Sequence, residues 1–423
     1  MKTSATLAIA ILAISGPVFA EGEAPALRTA EEHRAMFEAI TPENFDDGGA
    51  ISRYVWKNTP AFYGMATIPR TGPARELPQA LRSDVADLEL ELDGDRITLD
   101  RYVQGSPLVD SIIVLHRGAV VYEAYTNMEP WDRHYTWSVG KVYASTALAI
   151  LEAKERVDVE LAVENYLPEL AGTAWEGTTV RNIVNMASGI DCRDSDGYQN
   201  TNTCIYRFEE TLNLTAPVRE DIPSTTEALR GMDRRGPQGE LNEYVSANTH
   251  VTGLIVERIH GAPYWIALQE LIFDRIGPEA DAFHFVSKAG VPAVHGGLFL
   301  RLRDVAKFGE LFIPSSGLGH DLTGHFDDLR SDKGIVLSEA TRTRFAESNP
   351  ALANDPPTHA AWQWDRIWSD GGMYKGGYSG QGLYVDPDRE LVVAFFGTAD
   401  TDFKRNELMS AARQLAVSGL FAK

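Results

Sequence analysis

Ser138 and Lys141 stand three residues apart at the head of Ser138-Val139-Gly140-Lys141-Val142-Tyr143-Ala144. In a helix beginning near Ser138, positions i and i+3 share one face, so hydroxyl and amine can meet. A serine hydroxyl is a weak nucleophile until a base takes its proton, and a lysine is a base only when neutral. Burial disfavours the charged amine, and the apolar and small residues running to Leu151 read as buried. The Ser138 N–H, at a helix N-terminus, suits a developing oxyanion. Set against this chemistry is a plain helix start with a solvated lysine.

Two later stretches hold partners for such a pair. Glu243-Tyr244-Val245-Ser246-Ala247-Asn248 opens a helix, with a phenol and a hydroxyl two residues apart. A tyrosine near the serine and lysine relays protons between nucleophile and leaving group; alone, it reads as a core tyrosine. Lys375-Gly376-Gly377-Tyr378 sets a cation and two glycines before Ser379-Gly380-Gln381, and glycines let backbone approach a substrate. The structural reading there is a hairpin. Gly377-Tyr378-Ser379-Gly380-Gln381 falls short of a nucleophile elbow, because position 381 is not glycine and the segment joins strands. The ten histidines are scattered without metal-ligand spacing, and His-Glu-x-x-His is absent.

The elements that must position these groups follow from the patterning. Leu88 to Leu92 alternates, turns at Asp93-Gly94 and resumes at Ile97. Ser111 to His116 and Ala119 to Tyr125 form a more apolar hairpin about Arg117-Gly118, expected centrally in a sheet. Helices are predicted from Ser138 to about Lys154, from Thr179 to Met186, from Tyr244 to Ile259, from Pro263 to Ile276 and from Arg303 to Phe312. Strands return around Tyr374 to Tyr378, Gly382 to Val385 and Leu391 to Phe396, before an amphipathic helix from Phe403 to Phe421. The stretch before Ser106 is the least informative.

Composition is that of a globular protein, with 44% hydrophobic and 23% charged residues. The net charge of −21 argues against nucleic acid and anionic membranes as partners. Met1 to Ala20 reads as a secretory signal, with Lys2, an apolar stretch from Ala5 to Ile14 and a Val18-Phe19-Ala20 cleavage site. That stretch is too short to span a membrane, and no later segment qualifies. The expected location is the bacterial periplasm. There the only two cysteines, Cys192 and Cys204, are expected to form a disulfide pinning a polar loop.

In order and spacing, Ser138-Val139-Gly140-Lys141, Tyr244-Val245-Ser246 and Lys375-Gly376-Gly377 resemble the three motifs of the serine β-lactamase and penicillin-binding-protein superfamily. The chain looks most like its class C-related branch, which includes family VIII carboxylesterases and 6-aminohexanoate-dimer hydrolases. Supporting stretches are Asn185 to Asp191, Gly296-Gly297 with Arg303-Asp304, and Gly380 to Pro387; the resemblance spans roughly residues 108 to 420. It implies an α/β (α+β) fold, an antiparallel sheet flanked by helices with an inserted all-helical subdomain. The expected organisation is a signal peptide at 1–20, an extension at 21–107, a sheet domain at 108–140 and 291–423, and a helical subdomain at 141–290. It further implies Ser138 as nucleophile, Lys141 as base, Tyr244 as proton shuttle, and the N–H groups of Ser138 and Tyr378 as oxyanion hole. Ser246, Lys375, Gly377 and Gln381 would face the small-molecule ester or amide, and no metal or organic cofactor is needed.

The sequence departs from the β-lactamase pattern twice. Ser246 stands where class C enzymes carry asparagine, and Gly376 replaces the threonine of Lys-Thr-Gly. Both departures count against β-lactam turnover, while Lys375 remains as a cation for a substrate carboxylate. A D-alanyl-D-alanine carboxypeptidase, a class C-like β-lactamase and a penicillin-binding sensor that acylates once are the alternatives.

Overall fold

The computed structural model describes residues 29–41, 44–331 and 333–421; the signal sequence predicted at 1–20 lies outside them. An antiparallel sheet of eight strands carries the fold. In chain order these are β1 (Val109–His116), β2 (Ala119–Tyr125), β3 (Ile335–Val336), β4 (His359–Ala361), β5 (Trp364–Ile367), β6 (Met373–Gly376), β7 (Gly382–Asp386) and β8 (Leu391–Gly397). Their spatial order is β2-β1-β8-β7-β6-β5-β4-β3.

The central strands read as unbroken apolar runs because both faces are covered. Ile113, Leu115, Leu383, Val385, Val392, Ala394 and Phe396 join one core, while Ile112, Val114, Tyr384, Val393 and Phe395 join another on the opposite face. The first core holds helices α1 (Gly140–Ala153), α2 (Ser246–His260) and α3 (Leu302–Gly309). The second holds α4 (Leu408–Val417) and the hairpin of strands Glu89–Leu92 and Asp95–Thr98. Close approach of α3 to the sheet requires glycine at 309, where a Cβ would lie 2.5 Å from Val392 Cγ1.

The apolar hairpin sits at the sheet's margin instead of its centre, with β2 as the edge strand. Its edge is nevertheless covered: Ala80 and Arg82 donate to the carbonyls of Val120 and Val121, and Val120 donates to Pro78. That cover explains the apolar sequence. The C-terminal helix is shorter than predicted, since a turn occupies residues 400–403 and α4 begins at Leu408.

Residues 29–41 and 44–68 pack on the side of the molecule that holds Ser138. Helix Gly49–Lys57 presents the buried Arg53, which donates to Asp110 at 2.6 Å. Strand Met65–Ile68 pairs with Ala282–Phe285 in a second sheet, followed by Leu298–Leu300 and His134–Tyr135. That last strand runs directly into Ser138. The extension thus buttresses the segment before the serine, through a strand of only four residues, Met65–Ile68, that carries no sequence pattern of its own.

Candidate active site

Thr136 anchors the turn before Ser138, its backbone N–H donating to Leu298 O at 2.9 Å. Trp137 sits at φ 49°, and a single turn of 3₁₀ helix, Trp137–Val139, leads into α1. Because α1 is buried almost throughout, it carries Lys141 into the interior, 1% exposed. The Lys141 Nζ donates to Ser246 Oγ at 2.9 Å and to the His295 carbonyl at 2.7 Å. A neutral amine has two hydrogens, so both are committed to fixed acceptors and the lone pair remains for another proton. Burial pushes this amine down from its usual range to about 7, with Asp194 pulling in the opposite direction. Lys141 is therefore a base that can be free at neutral pH.

Tyr244 lies just before α2, which starts at Ser246 and not at the tyrosine. Burial raises its phenol well above the usual range, Asp365 and Asp194 add to this, and a hydrogen bond with the Ser138 side chain opposes it. The phenol is thus protonated and linked to the serine hydroxyl. Two amines approach its ring: Lys141 Nζ lies 5.1 Å from the centroid and Lys375 Nζ 4.5 Å. Lys375 also donates to the Tyr244 oxygen at 2.8 Å. The sequence-predicted triad of Ser138, Lys141 and Tyr244 is brought together.

The disulfide forms between Cys192 and Cys204, and the loop it closes reaches the site. Asp194 N–H donates to the Tyr244 carbonyl at 3.0 Å. Its carboxylate accepts the Ser246 N–H at 2.8 Å, the Ser246 hydroxyl at 2.6 Å and the Tyr198 hydroxyl. Ser246 has one hydrogen and gives it to Asp194, so its oxygen is left to accept from Lys141. The helix Cys204–Thr211 continues from the bridge and places Glu209 2.7 Å from His295 Nε2, steadying the residue whose carbonyl holds Lys141.

The third motif lies on β6 and the turn after it. Lys375 is buried and donates to Asp365 Oδ1 at 2.6 Å, while the Gly376 N–H donates to Asp365 Oδ2 at 3.0 Å. The free cation expected for a substrate carboxylate is therefore already paired. Gly377 admits the turn to the Ser138 segment: a Cβ there would lie 2.7 Å from Thr136 O. Tyr378 brings its ring to 5.2 Å from that of Trp137. Gln381 is fully buried and donates to the Gly397 carbonyl at 2.7 Å, so it braces the turn from behind. Ser379 is buried too, its hydroxyl accepting the Ala399 N–H at 2.8 Å. Asn248 points away, its amide 3.7 Å from Met186 Sδ, and does not replace the missing motif asparagine.

Sequence reasoning missed Asp194, Tyr198, Glu209 and Asp365. For Asp194 and Tyr198 the one available signal was their place inside the predicted disulfide loop. Asp365 gives none, because the four residues of β5 carry no strand pattern and the pairing with Lys375 is a cross-strand contact. Among the described residues no cluster has the composition of a metal site, and no helix is long and apolar enough to cross a membrane.

A model of the beta-lactamase family matches residues 104–418. The chain belongs to that family. It is 26% identical over 335 residues to the 6-aminohexanoate-dimer hydrolase of Paenarthrobacter ureafaciens, covering 78% of this chain and 80% of that protein. Its fold is similar to that of a Bacillus anthracis protein provisionally named 6-aminohexanoate-dimer hydrolase, with a TM-score of 0.69 at 18% identity over 90% and 95% of the two chains. It is also similar to a class C beta-lactamase from Rhodobacter sphaeroides, with a TM-score of 0.50 at 15% identity over 74% and 95% of the chains. A serine hydrolase of the beta-lactamase type, with helices about an antiparallel sheet, is the common denominator.

Proposed function

We propose that this member of the beta-lactamase family is an exported hydrolase that cleaves small esters or linear amides through an acyl-enzyme on Ser138. The observation that carries this reading is the placement of Lys141: fully buried, with both hydrogens of its neutral form committed to Ser246 and His295, where burial pushes the amine down to about 7. Its lone pair takes the Ser138 proton as the hydroxyl attacks the substrate carbonyl. The backbone N–H groups of Ser138 and Tyr378 receive the oxyanion. Tyr244, protonated and bonded to Ser138, passes a proton to the departing alkoxide or amine. Water then repeats the attack on the acyl-serine, with the same groups serving in reverse. A similarity to the 6-aminohexanoate-dimer hydrolase supports the linear-amide half of this reading.

Cephalosporins are disfavoured. Ser246, in the position of the motif asparagine, is held by both Lys141 and Asp194, and Gly376 has no side-chain donor. Each buried polar group left without a partner costs about 1–3 kcal/mol. The predicted signal and disulfide support a periplasmic location. The test is kcat/KM for p-nitrophenyl butyrate, a linear aminohexanoate amide, a D-alanyl-D-alanine peptide and nitrocefin, on the mature protein and on Ser138→Ala. The ester or the linear amide is expected to lead, with all activity lost in the variant. Nitrocefin or the peptide leading would overturn the substrate class, and activity surviving Ser138→Ala would overturn the mechanism.

A further inference from the structure

We propose that Asp365 determines specificity, excluding substrates that carry a carboxylate beside the scissile bond. Its own carboxylate occupies the two donors, Lys375 Nζ and the Gly376 N–H, that such a group would use. The inference rests on the hydrolase reading and adds the charge class of the substrate.

The geometry is that of an internal ligand. β5 and β6 run antiparallel, with Arg366 opposite Tyr374, so residues 365 and 375 fall side by side on one face of the sheet. Asp365 Oδ1 takes Lys375 and Oδ2 takes the next backbone N–H, leaving neither oxygen idle. Lys375 has no exposed side-chain surface, whereas Asp365 keeps 25% of its own. A ligand arriving from solvent thus meets the carboxylate before the ammonium. Two carboxylates cannot share one buried cation without repulsion in a medium of low dielectric. Neutral or cationic leaving groups suffer no such conflict.

Burial is the largest influence on Lys375 and disfavours its charge; Asp365 and Asp194 favour the protonated form, and Arg366 opposes it, as does the neighbouring amine of Lys141, whose charge and that of Lys375 repel. The Lys375 ammonium also donates to the Tyr244 oxygen, 2.8 Å away. Removing the Asp365 charge leaves Lys375 and Gly376 N–H as a vacant pair of donors, with Lys375 holding its proton less firmly. Any gain of anionic substrates is therefore larger at low pH than at high pH.

Two acetate esters that differ by one carboxylate on the leaving group, phenyl acetate and 3-acetoxybenzoate, separate the possibilities. Their kcat/KM ratio is to be measured near pH 6 and near pH 8, either side of the histidine range, on the mature protein and on Asp365→Asn, Asp365→Ala and Asp365→Glu. Calorimetric titration with benzoate is run in parallel. The wild type is expected to prefer phenyl acetate and to bind no benzoate. In Asp365→Asn and Asp365→Ala the ratio should move towards the anionic ester by about tenfold or more, the size of a charge-assisted hydrogen bond. Benzoate should then bind, and Asp365→Glu should stay with the wild type. Because a ratio is read, a general loss of rate in the variants cancels. An unchanged ratio and no benzoate binding in folded Asp365→Asn and Asp365→Ala would overturn the role of Asp365. If the wild type cleaves neither ester, the hydrolase reading fails separately, and the benzoate titration alone decides for or against Asp365.

Discussion

Replacing Asp194 by asparagine changes one oxygen to an NH₂ group and should disable the base on a different segment. The Asp194 carboxylate accepts two donors from Ser246, at 2.8 and 2.6 Å, and a third from Tyr198. Asparagine offers one acceptor. If its oxygen keeps the Ser246 N–H, its NH₂ faces the hydroxyls of Ser246 and Tyr198 head on. Ser246 must then turn its hydrogen elsewhere, and its neighbour is Lys141 Nζ at 2.9 Å. The amine lone pair becomes occupied by Ser246 and is withdrawn from Ser138. The opposite amide orientation sets NH₂ against N–H and is no better. Each lost charge-assisted bond is worth about 1.5–3 kcal/mol, and general-base catalysis is worth about 10²–10⁴-fold. A fall in kcat/KM of about 10²-fold is expected, towards the low end of that range.

The pH profile distinguishes this from mere loosening. Lys141 must be free to act, so activity in the wild type should rise with pH through about 7 and then level. Asp194 favours the charged amine, so its neutralisation should move that rise to lower pH even as the plateau falls. The assay is kcat/KM for p-nitrophenyl butyrate from about pH 5 to about pH 9, a range wide enough to bracket the amine's titration. Asp194→Asn with wild-type plateau and an unmoved acid limb would refute the relay through Ser246.

Other expectations follow from the same contacts. Lys141→Ala and Tyr244→Phe should each reduce kcat by about 10²–10⁴-fold, and the double variant should lose little more, as groups acting in one unit do; additive losses in kcat would separate their roles. Lys141→Met should be more stable to heat than the wild type at neutral pH while inactive, because it removes an amine whose charge burial penalises; a lower melting temperature would contradict the assigned cost. Breaking the Cys192–Cys204 bridge with a reductant, or replacing both residues by serine, should lower stability by about 3 kcal/mol or less. It should also lower kcat, since Asp194 lies inside that loop; full activity with free thiols would show that the bridge does not position the site.

How much could be read beforehand divides along the range of the interactions. Ser138 and Lys141 were legible because their spacing is local and helical, and the buried run after them betrays where the amine goes. β8 was legible because Leu391 to Phe396 is apolar on both faces, as a central strand must be. Tyr244 and Lys375 became meaningful by order along the chain. Asp194 and Asp365 were hidden because each acts across the tertiary fold, on Ser246 and on the neighbouring strand, and an isolated aspartate carries no sign of its partner. Gln381 was placed at the substrate by its nearness to the motif, yet its side chain turns inward to Gly397. The edge position of β2 is not legible because the cover over it, Pro78 to Arg82, is extended chain without strand patterning.

The central claim is that Ser138 carries the acyl group. Treating the mature protein with a fluorophosphonate and mapping the adduct by mass spectrometry tests it directly. One modification, on the peptide bearing Ser138, with parallel loss of esterase activity and none on Lys141→Ala, is the expected result. An adduct on Ser379, Ser246 or any other serine, with Ser138 unmodified, would contradict it.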